Sequence, residues 1–375
     1  MTAPLEGVRV IELAGLGPVP FAGMVLAGMG ADVVVVDRIG GPPIPDVMIG
    51  AVGRGKRSVA IDLKHPDGAR TVLRLVEGAD VLVEGFRPGV AERLGLGPDD
   101  CLGVNDDLIY GRMTGWGNSG PYAAMAGHDI NYIGLVGALH TIGDEDASIP
   151  PLNLVGDYGG GAMYLVAGVL AALLDRETGG GRVVEAAMVD GAASLMSPFY
   201  AMYGTGLWTE DRGENLLDGG APFYTTYVTG DDKQVAVGAL EPRFYSALLD
   251  GLGLSEDDLP DRLDRSRWPE LRRNLGDAFM TRTRDEWEAV FAGTDACVTP
   301  VLGLDEAPRH PANAERRVFT DAGGFPLPVP APRFGDPVVE LGKAPGPGED
   351  TDEVLVQAGL TADEIDRLRG DGAVA

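Results

Sequence analysis

The sequence predicts an α/β fold: a mostly parallel sheet with helical crossovers, followed by a smaller α+β domain. Three observations carry this expectation. From Val8 to about Met188, short β-rich runs alternate with helical periods. Strand, helix, strand at that spacing calls for right-handed crossovers and hence parallel pairing. The stretch 222–308 carries a strand pair and helices of its own, and 375 residues suit two domains at ~150 residues each.

Taken in order, Val8–Leu13, Val33–Val36, Ser58–Asp62, Asp80–Glu84 and Leu108–Met113 read as strands by β-branched content and flanking turns. Phe21–Met29 reads as a helix, as does Pro66–Glu77, where Ala69, Val72, Leu73 and Val76 share one face. Pro66 suits its first turn and Gly78 its end. A helix is expected from Asp129 to Leu139, and another from a glycine triplet into Met163–Leu174. Arg182–Glu185 is strand-like and 189–208 looks helical. In the second region Phe223–Val228 and Gln234–Val237 pair, with helices at Arg243–Leu252, Trp268–Met280 and Asp285–Phe291. The prolines at 326, 328, 330, 332, 337, 345 and 347 make 322–348 an extended connector, and helices at Thr351–Ala358 and Ala362–Arg369 close the chain.

Thirty basic against 57 acidic residues give a net charge of −27, which repels nucleic acid and anionic membranes. Two distant cysteines, Cys101 and Cys297, form neither a disulfide scaffold nor a metal cluster, as expected of a reduced cytoplasmic enzyme. The N-terminus lacks a signal-peptide pattern, and the apolar run Gly159–Leu174 is too short to span a bilayer, so it is read as a buried helix.

Candidate chemistry gathers in few places. The opening strand–glycine–helix resembles a dinucleotide site, but Pro18 and Pro20 remove the N–H donors that a pyrophosphate needs. The cations Arg38, Arg54, Lys56, Arg57, Lys64, Arg87 and Arg93 fall near strand ends; they form either a pocket for a phosphorylated ligand or ordinary surface pairs. Of four histidines, His65 and His310 read as solvated, and His140 as a cation near a helix end. His128 differs because it opens a helix, where backbone N–H groups are available to a developing oxyanion. Asp157, ahead of Gly159–Gly161, is either an N-cap or a site acid beside space cleared for a ligand. Glu241, at the mouth of a buried strand, is a site residue or a helix N-terminal acid.

The segments AGHDINYIGLVGAL, PPLNLVGDYGGG, DGGAPFYTTY, VAVGALEPRFY and DACVTPVL resemble the alpha-methylacyl-CoA racemase family, within the class III CoA-transferase superfamily. Most specific is G-H-D-I-N-Y with D-Y-G-G-G about thirty residues on. The superfamily's transferases share the aspartate and usually lack the histidine. The resemblance implies a Rossmann-like large domain over 1–188 completed by 318–375, linker helices at 189–221, a small α+β domain at 222–308 and a return linker at 309–317. It also implies two subunits interlocked as a homodimer, with one subunit's small domain facing the other's large domain.

By the same resemblance, His128 and Asp157 are the acid/base pair, and Glu241 supports the histidine. The CoA-ester contacts are Arg38, Ile61, Asp62, Leu63, Lys64, Gly85, Phe86, Arg87, Arg93, Gly127, Ile130, Asn131 and Tyr132. The backbone N–H of Asp129 is the oxyanion donor. The loop GDEDASIPP between the two catalytic groups is one residue shorter than the family's. The implied reaction is a 1,1-proton transfer on a 2-methylacyl-CoA thioester through an enolate, needing no metal or redox cofactor, with CoA as part of the substrate. The alternative on the same scaffold is a CoA transferase with Asp157 as nucleophile. An acyl-CoA binding protein would need neither catalytic group.

Overall fold

The computed structural model describes residues 3–41, 50–322, 324–335 and 341–375; Pro337 of the expected connector lies outside them. Six strands form one parallel sheet: β1 (Arg9–Leu13), β2 (Asp32–Asp37), β3 (Arg57–Ala60), β4 (Val81–Glu84), β5 (Ile109–Thr114) and β6 (Arg182–Ala187). Their order is β3-β2-β1-β4-β5-β6, the doubly wound arrangement in which the winding direction reverses between β1 and β4.

Burial on both faces explains why the strands read as continuous apolar runs. Val10, Val33, Val81, Val83 and Met113 point into one core, packed by α1 (Pro18–Gly28) and by Leu165, Val166 and Val169. Ile11, Val34, Val36, Val59, Leu82 and Tyr110 point into the other. That second core is completed by helix Pro66–Val76 and by Val354, Leu355, Ile365 and Leu368 near the C-terminus. The chain end is stitched to the sheet: Ser58 N–H donates to Asp350 at 2.8 Å, and Asp62 N–H to the Ala373 carbonyl at 2.9 Å.

Several local expectations are corrected. α1 starts at Pro18, earlier than Phe21, because a first-turn proline needs no N–H partner. The helix after His128 stops at Leu135, since Gly137 takes φ +76 and starts a separate short turn, Ala138–Thr141, which carries His140. Part of the expected connector is a hairpin, β10 (Phe319–Asp321) against β11 (Pro326–Pro328). His65 is an N-cap accepting from Asp67 N–H, and His310 sits 2.6 Å from Glu288, so neither is merely solvated.

The chain groups into two compact units, residues 1–136, 152–195 and 311–375 in one, and 137–151 with 196–310 in the other. Residues 137–151 therefore group away from the large domain that the sequence boundaries assign them to, and 189–195 belong with the larger unit instead of a linker. The smaller unit has an antiparallel sheet, β7 (Tyr224–Val228), β8 (Gln234–Gly238) and β9 (Val298–Pro300), whose third strand the sequence reading misses. Its core gathers Phe223, Tyr245, Trp268, Phe279 and Trp287.

Candidate active site

In open parallel sheets, ligands bind beyond the carboxyl ends of the strands, at the switch point. The segments after β1 (Ala14–Gly17) and β4 (Gly85–Arg87) flank that point here. Arg38 follows β2, Ile61–Lys64 follow β3, and the turn holding His128 follows β5. Most of the expected contacts thus emerge on one edge of the sheet, in the larger unit.

His128 is the N-cap of helix Asp129–Leu135, in extended backbone (φ −132, ψ 172), and its ring is exposed. Its own N–H donates to Asn131 Oδ1 at 3.0 Å. Tyr132 locks the preceding turn: its hydroxyl donates to the Gly127 carbonyl at 2.6 Å, and its ring meets Trp116 edge-on at 4.6 Å. Only glycine fits at 127, where a Cβ would stand 2.8 Å from Tyr132. The N–H of Asp129 lies in the first helical turn, which has no intrahelical acceptor.

Asp157 is not an N-cap, which corrects one of its two expected readings. It sits inside a wide turn, Leu154–Ala162, wound as a π-helix that runs directly into helix Met163–Gly179. Such π-turns concentrate at functional sites. Its N–H donates to Asp129 Oδ1 at 2.7 Å, and its Oδ2 accepts from Asn153 Nδ2 at 3.1 Å. Burial pushes its carboxyl above the usual carboxylate range. Asn153 and His128 pull the other way, while Asp129 adds to the rise. The carboxyl also lies against Gly17, where a Cβ would be 3.1 Å from Oδ2, and its neighbour Tyr158 stacks on Phe21 at 4.5 Å.

The glycines after Asp157 do not clear room for a ligand. A Cβ on Gly160 would sit 2.6 Å from Ala192 N, one on Gly161 2.8 Å from Met188, and one on Gly191 1.8 Å from the Gly160 carbonyl. They let the π-turn press backbone to backbone on helix Met188–Leu195.

Among the basic residues, three leave the expected pocket. Lys56 is buried against Glu12 at 2.7 Å, Arg57 binds Asp32 at 2.6 Å, and Arg54 donates to the Pro328 carbonyl at 2.9 Å. Arg38, Lys64, Arg87 and Arg93 remain exposed. Ile61 is 1% exposed and bridges to Val374, so only its main chain can face a ligand. Tyr132, at 6% exposure with its hydroxyl engaged, shapes the site from beneath. Leu63 and Phe86 are half-buried, and Ile130 is exposed. Asp62 accepts from Lys64 N–H at 2.9 Å, closing the turn after β3. Glu241, in the smaller unit, caps helix Pro242–Leu252, and its side chain makes no capping bond. Among the described residues no group of three His, Cys, Asp or Glu is placed to hold a metal ion.

Sequence reasoning misses Asn153 and the Asp129 side chain. The four-residue step from Asn153 to Asp157 would have signalled the first, had 153–162 been read as helical.

Residues 5–351 match the sequence profile of CoA-transferase family III. The chain belongs to that family. An alpha-methylacyl-CoA racemase of Mus musculus is 48% identical over 99% of this chain and 97% of its own length. The Homo sapiens protein of the same name is 45% identical over 98% and 96%. Among solved structures, a CAIB/BAIF family protein from Brucella suis superposes with a TM-score of 0.82 at 24% identity, over 96% of this chain and all of that one. For this family member the structural match supports the α/β fold.

Proposed function

We propose that the chain is an isomerase that interconverts the 2R and 2S forms of 2-methylacyl-CoA thioesters. The observation that carries the reading is the 2.7 Å bond from the Asp157 N–H to Asp129, the residue after His128, which joins the two unlike groups' segments, beside an Asp157 carboxyl raised by burial. Racemising a carbon acid needs a base on one face and an acid on the other, and unlike groups serve when their environments set opposite protonation states.

For one enantiomer, neutral His128 takes the α-proton and becomes imidazolium. The C–H electron pair moves into an enolate on the thioester oxygen, held by the N–H of Asp129. Protonated Asp157 then delivers its proton to the opposite face and is left as carboxylate. For the other enantiomer, carboxylate Asp157 abstracts and imidazolium His128 donates. Arg38, Lys64, Arg87 and Arg93 would meet the phosphates of CoA, whose remote binding energy places the α-carbon. The racemase names of the two mammalian relatives support the same reading.

The test is deuterium uptake from heavy water at C2 of 2-methylacyl-CoA esters with short, long and ring-bearing acyl chains. Exchange together with inversion is expected; its absence from all three classes would end the racemase reading.

We also propose a homodimer in which Glu241 of one copy approaches His128 of the other. Its support is the apolar surface of the larger unit, where Leu135, Leu152, Leu154 and Leu195 are 56%, 75%, 56% and 42% exposed. Sedimentation at nanomolar concentration should show no folded monomer. A stable, well-folded monomer would contradict this.

A further inference from the structure

A third, enclosed acid stands beside the two groups that handle the proton. Asp129 is 6% exposed. Its Oδ1 accepts the N–H of Asp157 at 2.7 Å, and its Oδ2 is buried with no hydrogen-bond partner among the described residues. Gly156 is shaped to it, because a Cβ there would stand 2.5 Å from Oδ1. Packing alone gives no reason to bury a carboxylate with one oxygen unsatisfied, since the lost hydration is not replaced.

We propose that Asp129 is a positioning residue for proton transfer at Asp157. One oxygen fixes the backbone from which the Asp157 side chain projects, and the other, left without a donor, repels the ionised form of that side chain. The inference rests on the reading that Asp157 carries a proton to the α-carbon.

The surroundings leave Asp129 as the charge best placed for this. Helix Asp129–Leu135 and its cap bring His128, of opposite effect, and Tyr132, which is bonded to the Gly127 carbonyl. The π-turn itself brings Asn153 and Tyr158. α1 (Pro18–Gly28) carries no charged side chain, and helix Met188–Leu195 carries only the exposed Asp190. From β5, Arg112 is engaged by Glu84 and Glu92. From β6, Arg182 is engaged by Asp175, and Glu185 accepts from Asn118 N–H. Helix Met163–Gly179 has its charged residues, Asp175, Arg176 and Glu177, in its last turns.

Asp129→Asn keeps an acceptor for the Asp157 N–H and removes the charge. The rate of interconversion at neutral pH should fall about tenfold with KM within about twofold, and the limb of the pH–rate profile governed by Asp157 should move about one unit lower. Asp129→Ala also frees the backbone and should cost about a hundredfold. An Asp129→Asn protein that folds, as judged by circular dichroism, with an unmoved limb and unchanged rate would overturn the proposal. If neither variant folds, the wild type decides by infrared spectroscopy. A protonated-carboxyl band at neutral pH that Asp157→Asn removes, together with the band of a second, ionised and weakly hydrogen-bonded carboxylate, supports the proposal, and the absence of either overturns it. Failure of the underlying reading looks different, because Asp157→Asn would then leave interconversion intact, taking both down together.

Discussion

Asp157→Asn is expected to abolish interconversion of the two enantiomers, a loss on the order of 10²–10⁴-fold or more, since one of the two proton carriers is gone. Deuterium uptake should survive from the enantiomer whose α-proton faces His128. The amide is isosteric, and it leaves the imidazole and the Asp129 N–H in place. Measuring exchange and inversion separately for each enantiomer therefore divides the two carriers. His128→Ala should show the converse, keeping exchange only on the aspartate's face.

The pH dependence follows from the raised carboxyl. Both directions run through the same singly protonated His128/Asp157 pair, so inversion rises and falls with one shared pH profile, and its Asp157-governed limb stands above the usual carboxylate range. A transferase would behave otherwise: wild-type Asp157 would form an acyl adduct trappable by hydroxylamine, and acyl transfer would survive His128→Ala. Those two results together would replace the racemase reading with the transferase one.

Lys56→Met should destabilise the larger unit by about 3–5 kcal/mol, the usual cost of removing one partner of a buried ion pair. The side chains of Lys56 and Glu12 are 1% and 2% exposed and 2.7 Å apart. Lys56 also donates to the Pro20 carbonyl at 2.9 Å, in the first turn of α1. Gly23 makes room for the pair, since a Cβ there would lie 1.8 Å from Glu12 Oε2.

Burial already holds the Glu12 carboxyl above its ordinary value, against the pull of Lys56. Without the ammonium it rises further, so the folded variant binds its proton more tightly than the unfolded chain does. That stability is fully present below the unfolded value and is lost as pH rises through the folded one. The deficit should be smaller in mild acid than at neutral pH. Glu12→Gln with Lys56→Met should recover much of it, because no bare charge remains. Urea midpoints at two pH values for both variants give the check. A single variant as stable as wild type at neutral pH would show that the pair is not enclosed. Because α1 starts directly after Gly17, which lies against Asp157, the single variant should also lose activity before it unfolds.

The strand addresses of the larger sheet were legible in the residues alone, to within a residue or two, and His128 and Asp157 stood out there as the candidate acid/base pair. Strands buried on both faces carry an unbroken β-branched signal between glycine turns, and that signal is local. The two site groups stand in distinctive short motifs, GHDINY and DYGGG, which need no partner to be read.

What those motifs do in space depends on contacts with residues far away in the chain. The glycines at 160 and 161 turn out to serve helix contact at Gly191 and Met188, some thirty residues on. Asp129, read for its N–H alone, places its carboxylate under Asp157. Lys56, one of seven cations near strand ends, is claimed by Glu12 forty-four residues earlier. β9 pairs along the edge of β8, and 137–151 group with the smaller unit. In each case the deciding term is burial or pairing with residues remote in sequence, an energy that no local pattern of residues encodes.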